Sequence, residues 1–215
     1  MTAGERAERP LAIDGRALGS RGARTRQRLL DATAVLLENH GIRDLRVVDI
    51  ARAVETSPAT FYQYFRDVEE AVLALAGEVG ESTAPLLDLL EGPWDPDGAL
   101  ASARRLVEGW LDLWDANRAV LRTRNLAAQE GDRRFRDVRN GMLAPFTVGL
   151  ADHVRAAQGA GRVAPEISAA AAGAGMVALL ERMAAFHIDL EPLGIARDQL
   201  VETTARIITQ TVTGG

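Results

Sequence analysis

The residues best suited to chemistry form one short run, Ser57-Pro58-Ala59-Thr60-Phe61-Tyr62-Gln63-Tyr64-Phe65. Ser57 has the form of a helix N-cap and Pro58 that of a first helical residue, where a missing N–H is harmless. At about 100° per residue, Pro58, Phe61 and Phe65 share one helical face, which is expected to pack inward. Ala59, Thr60, Gln63 and Tyr64 project from the opposite face, with Tyr62 on its flank. That outer face is short, uncharged and rich in hydroxyl and amide groups. It suits the major groove of duplex DNA: small residues permit close approach, an amide meets a base edge, and hydroxyls meet phosphates. A plain helical hairpin with two exposed tyrosines would show the same spacing.

The elements that must position this face lie on either side. Val47, Val48, Ile50, Ala51 and Val54 give a preceding helix an apolar stripe, and the small Ala51 lets a second helix cross closely. Before it, the pattern is helical from about Arg24 to His40, with Leu29, Leu30, Thr33, Ala34, Leu36 and Leu37 apolar and Gly41 as a stop. After Phe65, Asp67 is placed to cap a fourth helix that opens Val68-Glu69-Glu70 and is kinked at Pro85. Residues 1 to about 22 mix Arg, Glu, Gly and Pro without periodicity and read as a disordered arm. Arg16, Arg21, Arg24, Arg26 and Arg28 make the end nearest the first helix basic, fit either to follow a DNA backbone or to be a solvated tail.

Composition bounds the remainder. The chain has 215 residues, 47% of them hydrophobic, no cysteine and a net charge of −5. Disulfides and thiolate metal sites are excluded, and a reducing, cytoplasmic setting fits. No apolar run is expected to reach the length that spans a bilayer, and no membrane partner is expected. Residues 1–67 hold 11 Arg against 9 acidic residues, while residues 68–215 hold 14 against 21, so a mildly basic head precedes an acidic body. The three histidines, His40, His153 and His187, show no metal-ligand spacing, and no phosphate loop, nucleophile elbow or strand pattern is present. No catalytic residue, metal or cofactor is expected.

From the turn-rich Glu91–Gly98 onward the body reads as helices of about 97–115, 117–130, 132–159, 165–190 and 196–212. Trp110, Trp114, Met142, Phe146, Met176, Met183 and Phe186 form an aromatic and methionine group. It suits an apolar pocket between helices and equally an ordinary core. Arg122, Asn125, Gln129 and Glu181 lie near enough in pattern to orient a polar end of a ligand, or to pair with each other.

Residues 24 to about 80 resemble the DNA-binding domain of the TetR family of bacterial transcription regulators. The resemblance rests on the first helix ending His40-Gly41, on Val48-Asp49-Ile50-Ala51, on the Ser57–Phe65 run, and on Glu69-Glu70. It implies an all-α chain: an arm over 1–22, a helix-turn-helix domain over 23–68, and an effector-binding and dimerisation domain over 69–215. It further implies a repressor that binds a palindromic double-stranded operator as a homodimer through its last two helices and is released by a small, mostly apolar effector. On that reading Ala59, Tyr62 and Gln63 meet bases, while Ser57, Thr60 and Tyr64, with Arg46 and Arg52, meet phosphates. The effector site falls among Trp110, Trp114, Arg122, Asn125, Met142, Phe146, Met176, Met183 and Phe186. Two positions depart from the family pattern: Glu55 stands where Gly is usual in the turn, and Val68 where a phosphate-binding Lys is frequent. They keep open a helical ligand-binding or scaffolding protein without DNA binding, and a small all-helical enzyme.

Overall fold

The computed structural model describes residues 12–13 and 15–215, so the expected arm lies partly outside the described residues. Among the described residues every regular element is helical and none is a strand. The chain divides into two compact units at Gly77 and Glu78.

In the first unit, α1 spans Ser20–Asn39, α2 Val47–Ala53 and α3 Pro58–Phe61, and α4 (Val68–Glu81) runs across the division. α1 starts four residues before the expected Arg24. It ends in an extended His40, so Gly41 supplies no left-handed stop. Leu29, Leu30, Leu37, Ile50, Ala51, Phe61 and Phe65 are buried. Sealing an aromatic such as Phe61 from water is worth about 1.5–3 kcal/mol, so this apolar set fixes how α1, α2 and α3 cross. Two expected core positions differ: Val48 is 40% exposed and Pro58 lies at the surface. At α4, Asp67 Oδ1 accepts from Glu70 N at 2.7 Å and Glu70 reaches back to Arg66 N. This reciprocal cap stops the preceding turn from running on into α4.

The second unit holds α5 (Ala84–Asp88), a single 3-10 turn (Leu89–Glu91), α6 (Ala99–Gln129), α7 (Arg133–Gly159), α8 (Ala169–Leu190) and α9 (Arg197–Thr213). The break expected before Asn117 is a kink within one helix: Asn117 has φ −131° and its side-chain amide donates to Leu113 O. α7 continues through Pro145, with Asp132 as its N-cap. α8 starts at Ala169 behind the cap Ser168, later than the expected Pro165. It is also long and apolar enough to cross a membrane by length and composition, contrary to expectation. It nevertheless carries Glu181, Arg182, His187 and Asp189, and it packs on α6 and α7, with Met176, Val177 and Leu180 buried. Its approach to α7 is tight: a Cβ at Gly173 would stand 2.4 Å from Thr147 O.

Candidate nucleic-acid interface and effector region

The turn into α3 is built by backbone geometry. Glu55 N donates to Arg52 O and Thr56 N to Ala51 O, which closes α2 with Glu55 in the left-handed conformation at φ 55°. This is the position where helices favour glycine. Ser57 then caps α3, its Oγ accepting from Thr60 N at 3.2 Å and lying 3.1 Å from Thr60 Oγ1. The Ser57 and Thr60 hydroxyls therefore first serve the cap. Regular helix covers only Pro58–Phe61, and the chain continues in hydrogen-bonded turns to Phe65. Phe61 and Phe65 lie inward with ring centroids 5.4 Å apart, and Tyr62, 51% exposed, meets Phe61 edge-on. Ala59 and Gln63 are exposed and Tyr64 is half-buried.

Two clefts flank this outer face. One, of about 660 Å³, is lined by Arg21, Arg24, Arg28, Glu55, Thr60 and Tyr64. The other, of about 650 Å³, includes Arg46, Pro58, Tyr62 and Arg66. Arg28 Nη2 donates to Val54 O at 2.8 Å and so ties α1 to the end of α2. Ile13 N donates to Gln63 O, which brings the segment before α1 against the same turn. Arg46 and Arg52 are both highly exposed and both pair with Asp49, at 3.0 and 3.6 Å. One carboxylate therefore holds two cations ready at the edge of α2.

In the second unit the aromatic and methionine group is mostly core. Trp110 and Phe146 are fully buried and pack edge to face at 5.2 Å. Trp114, Met142 and Met176 are buried as well, and Met183 is half-buried. Phe186 is 38% exposed beneath the Arg182 guanidinium, and Arg122 is at the surface. Those two are not brought to the rest. Trp110 Nε1 and Trp114 Nε1 are buried with no hydrogen-bond partner among the described residues. Asn125 joins a buried polar cluster. Glu181 Oε1 accepts from Arg124 Nη2 and Asn125 Nδ2 at 3.2 Å each and from Arg139 Nε at 3.1 Å, and Arg139 Nη2 reaches Oε2. Burial pulls the Arg124 pKa down to about 10, opposed by the charge of Glu181 and assisted by that of Arg139. Elsewhere Asp115 links α6, α8 and α9. Partial burial works against its ionisation, yet hydrogen bonds from Arg118, His187 and Arg197 hold its carboxyl below the usual range.

Residues 86–215 match the family model of the tetracyclin repressor-like C-terminal domain, and residues 29–75 match that of bacterial regulatory proteins, tetR family. The chain belongs to the TetR family. Similar solved structures include the fatty acid degradation regulator FadR of Bacillus halodurans, 17% identical over 93% of this chain and 98% of that one, with TM-score 0.65. FadR of Bacillus subtilis, in complex with stearoyl-CoA, is 13% identical over 88% and 98%, with TM-score 0.66. Salmonella enterica GusR is 18% identical over 92% and 99%, also at 0.66. At these identities the likeness is one of fold. Comparison with curated proteins finds no match.

For this TetR-family chain the sequence reading passes over Arg124 and Arg139, while Arg21, Arg24 and Arg28, expected as the basic end nearest the first helix, line the first cleft. A signal for Arg124 exists. It falls three residues after the buried Leu121 and ten after Trp114, on the apolar stripe of α6, where a charge needs a buried partner. Arg139 carries no such mark, because its role depends on how α7 and α8 meet.

Proposed function

We propose that this TetR-family regulator is a repressor that binds a palindromic operator as a homodimer and is released by a small effector bound in its second unit. The observation that carries the reading is the exposed, uncharged face of α3 lying between two arginine-bearing clefts. A major groove accepts a helix with phosphate strands on both sides. Ala59, Tyr62 and Gln63 then read bases. Tyr64, Arg46 and Arg52 meet phosphates, joined by Arg21 and Arg24, while Ser57 and Thr60 offer what their cap leaves exposed. Arg46 and Arg52 exchange Asp49 for phosphate oxygen at little cost, since exposed ion pairs contribute about 0–1 kcal/mol. The residues ahead of α1, expected as an arm, add backbone contacts, and operator binding places the protein in the cytoplasm.

Pairing through α8 and α9 is supported by the small exposed residues Ala174 and Ala178 on α8 and by the 44% exposed Ile207 on α9. Two copies then read half-sites roughly 34–36 Å apart or a multiple of that. The Bacillus subtilis neighbour contains stearoyl-CoA, and we carry over only that a body of this fold accepts a small molecule. Trp110, Trp114, Met142, Phe146 and Met176, with Asn125, are the residues we assign to the effector region, and Met183, Phe186 and Arg122 to its margin. An effector acts only through differential affinity for the DNA-competent and released states.

The test is selection from random duplex DNA with the full chain, followed by binding of the enriched sequence at two salt concentrations. A palindrome bound by a dimer and weakened steeply by salt is expected. Folded protein that enriches no sequence at low salt refutes the reading.

A further inference from the structure

Val48 and Pro58 fit the helical pattern of a core, yet both stand at the surface. Scattered apolar residues on a protein surface need no explanation. These two are not scattered. Val48 from the first turn of α2, with Pro58 and Tyr62 from the run that forms α3, lines one cleft of about 650 Å³, and Leu45, Val47 and Val68 add to its apolar lining. The other cleft beside α3 is lined by three arginines with Glu55, Thr60 and Tyr64. The two flanks therefore differ in chemistry: one suits phosphate oxygens, and the other offers an apolar wall.

The surroundings narrow the occupant of that wall. Arg46 and Arg66 stand at the same cleft with side chains 74% and 71% exposed. Asp49 and Glu70 hold them in surface pairs of the kind that yield readily to phosphate. The acids in the lining, Asp67 and Glu69, belong to the start of α4, where Asp67 Oδ1 is engaged as the cap. Two cations beside an apolar wall complement a surface that sets methyl groups between phosphates. The major groove of duplex DNA is such a surface, and the C5-methyl of thymine is the apolar group on its base edges. Tyr62 belongs both to this cleft and to the face proposed to read bases, so the apolar wall continues that face. A small apolar molecule would gain little here, because Val48, Pro58 and Tyr62 are open to water.

We propose that Val48, with Pro58 and Tyr62 sharing its cleft, reads the C5-methyl group of one thymine in each half-site of the operator. The proposal rests on reading α3 as the element that enters the major groove. It names a base feature of the operator and a residue on α2 that selects it.

The experiment uses the full-length protein and the duplex enriched from random DNA. Each thymine is replaced in turn by deoxyuridine, symmetrically in both half-sites, which removes the methyl group and keeps every hydrogen-bonding group of the base. Sealing one methyl group from water is worth about a fourfold change in affinity, so the loss at the contacted thymine should be about fifteenfold over two half-sites. That loss should be the same at both salt concentrations, since a methyl group carries no charge to screen. In Val48→Ala the same replacement should cost under about threefold, with losses at other thymines as in the wild type; the shortfall measures the coupling of Val48 to the methyl group. Val48 is exposed, so the variant should fold, as circular dichroism will check. Selection repeated with Val48→Ala should lose the thymine preference at that position alone. An operator with no methyl-sensitive thymine, or one whose methyl sensitivity is unchanged in Val48→Ala at every position, overturns the proposal. So does a Val48→Ala variant that binds operator as before but no longer dimerises, since the cleft then holds a second copy. The operator reading fails separately. Wild-type protein that enriches no sequence refutes that reading and this inference with it, whereas a salt-sensitive palindrome indifferent to Val48 leaves the regulator standing and removes only the thymine contact.

Discussion

Glu55 offers the sharpest test of the structural reasoning, because strain and charge meet at one residue. It holds φ 55° at the end of α2, the one non-glycine residue with positive φ among those described. A left-handed conformation costs an L-residue about 1–2 kcal/mol, through the approach of Cβ to the following carbonyl. Glycine removes that cost but brings about 0.5–1 kcal/mol of extra chain entropy to be lost on folding. Glu55→Gly should therefore stabilise the first unit by about 0.5–1 kcal/mol, while Glu55→Ala, which keeps the Cβ, should gain nothing. Both tyrosines lie in the first unit and all three tryptophans in the second, so tyrosine and tryptophan signals during urea unfolding report the two units separately. The tyrosine midpoint should rise in the Gly variant alone, with the tryptophan midpoint unmoved.

The charge of Glu55 is separable from its strain. It shares a cleft with Arg21, Arg24 and Arg28, the wall proposed to face phosphate. One carboxylate about 8 Å from a phosphate in water repels it by about 0.5 kcal/mol. Glu55→Gln should thus bind operator about two- to threefold more tightly at low salt, an advantage that disappears as salt shortens the screening length. A Gly variant no more stable than the Ala variant would refute the strain argument. A Gln variant with unchanged affinity at low salt would remove this cleft from the DNA path.

Four further outcomes follow from the same geometry. Gln63→Ala should relax operator specificity at one base position by about 1–3 kcal/mol, whereas Tyr64→Ala should weaken all sequences alike, as competition binding against substituted operators will show. Gly173→Ala puts a methyl group 2.4 Å from Thr147 O, so α8 must move off α7; overpacking of this kind costs about 1–3 kcal/mol, readable as a lower tryptophan unfolding midpoint. Arg124→Met alone should destabilise by about 3 kcal/mol and Glu181→Gln by more, since the latter leaves two guanidinium groups without their carboxylate; the double variant should recover most of the loss in the same melts. His153 is stacked on Trp94 with Nε2 2.9 Å from Leu90 O, and burial pushes its pKa below the ordinary value against the pull of that carbonyl. The unfolded chain then binds the proton more readily, so stability is full above a pH of about 6.5 and declines as pH falls below it. Melting the His153→Gln variant across that range should show a flatter profile.

What was legible in the sequence is what depends on local spacing. The apolar stripes of α1 and α2, the Ser57 cap, the Asp132 cap and the discontinuity at Asn117 all follow from residue types a few positions apart. Val48 and Pro58 failed as core residues because periodicity assigns a stripe to a helix but does not set how wide a strip its neighbour covers. The sequence pattern carries α3 to Phe65, yet its regular part stops at Phe61, since a run so short gains little from propagation and is shaped by the packing of Phe61 and Phe65.

The polar cluster shows where such reading runs out. Asn125 and Glu181 are legible as polar groups near an apolar set, but the pattern points to Arg122 rather than Arg124, two residues away. On a helix that shift is about 200° of rotation, enough to exchange a solvent position for a core one. The stripe itself argued for Arg124, but hydrophobic patterning treats an arginine as an outward residue by default. The correction comes only when three helices meet, because Arg139 and Glu181 are what make a buried guanidinium tolerable there. A charge found on an apolar stripe is thus better read as a demand for a partner than as an interruption of the pattern. In this chain the demand is met by one carboxylate shared between two cations, with the Asn125 amide as a further partner of Arg124.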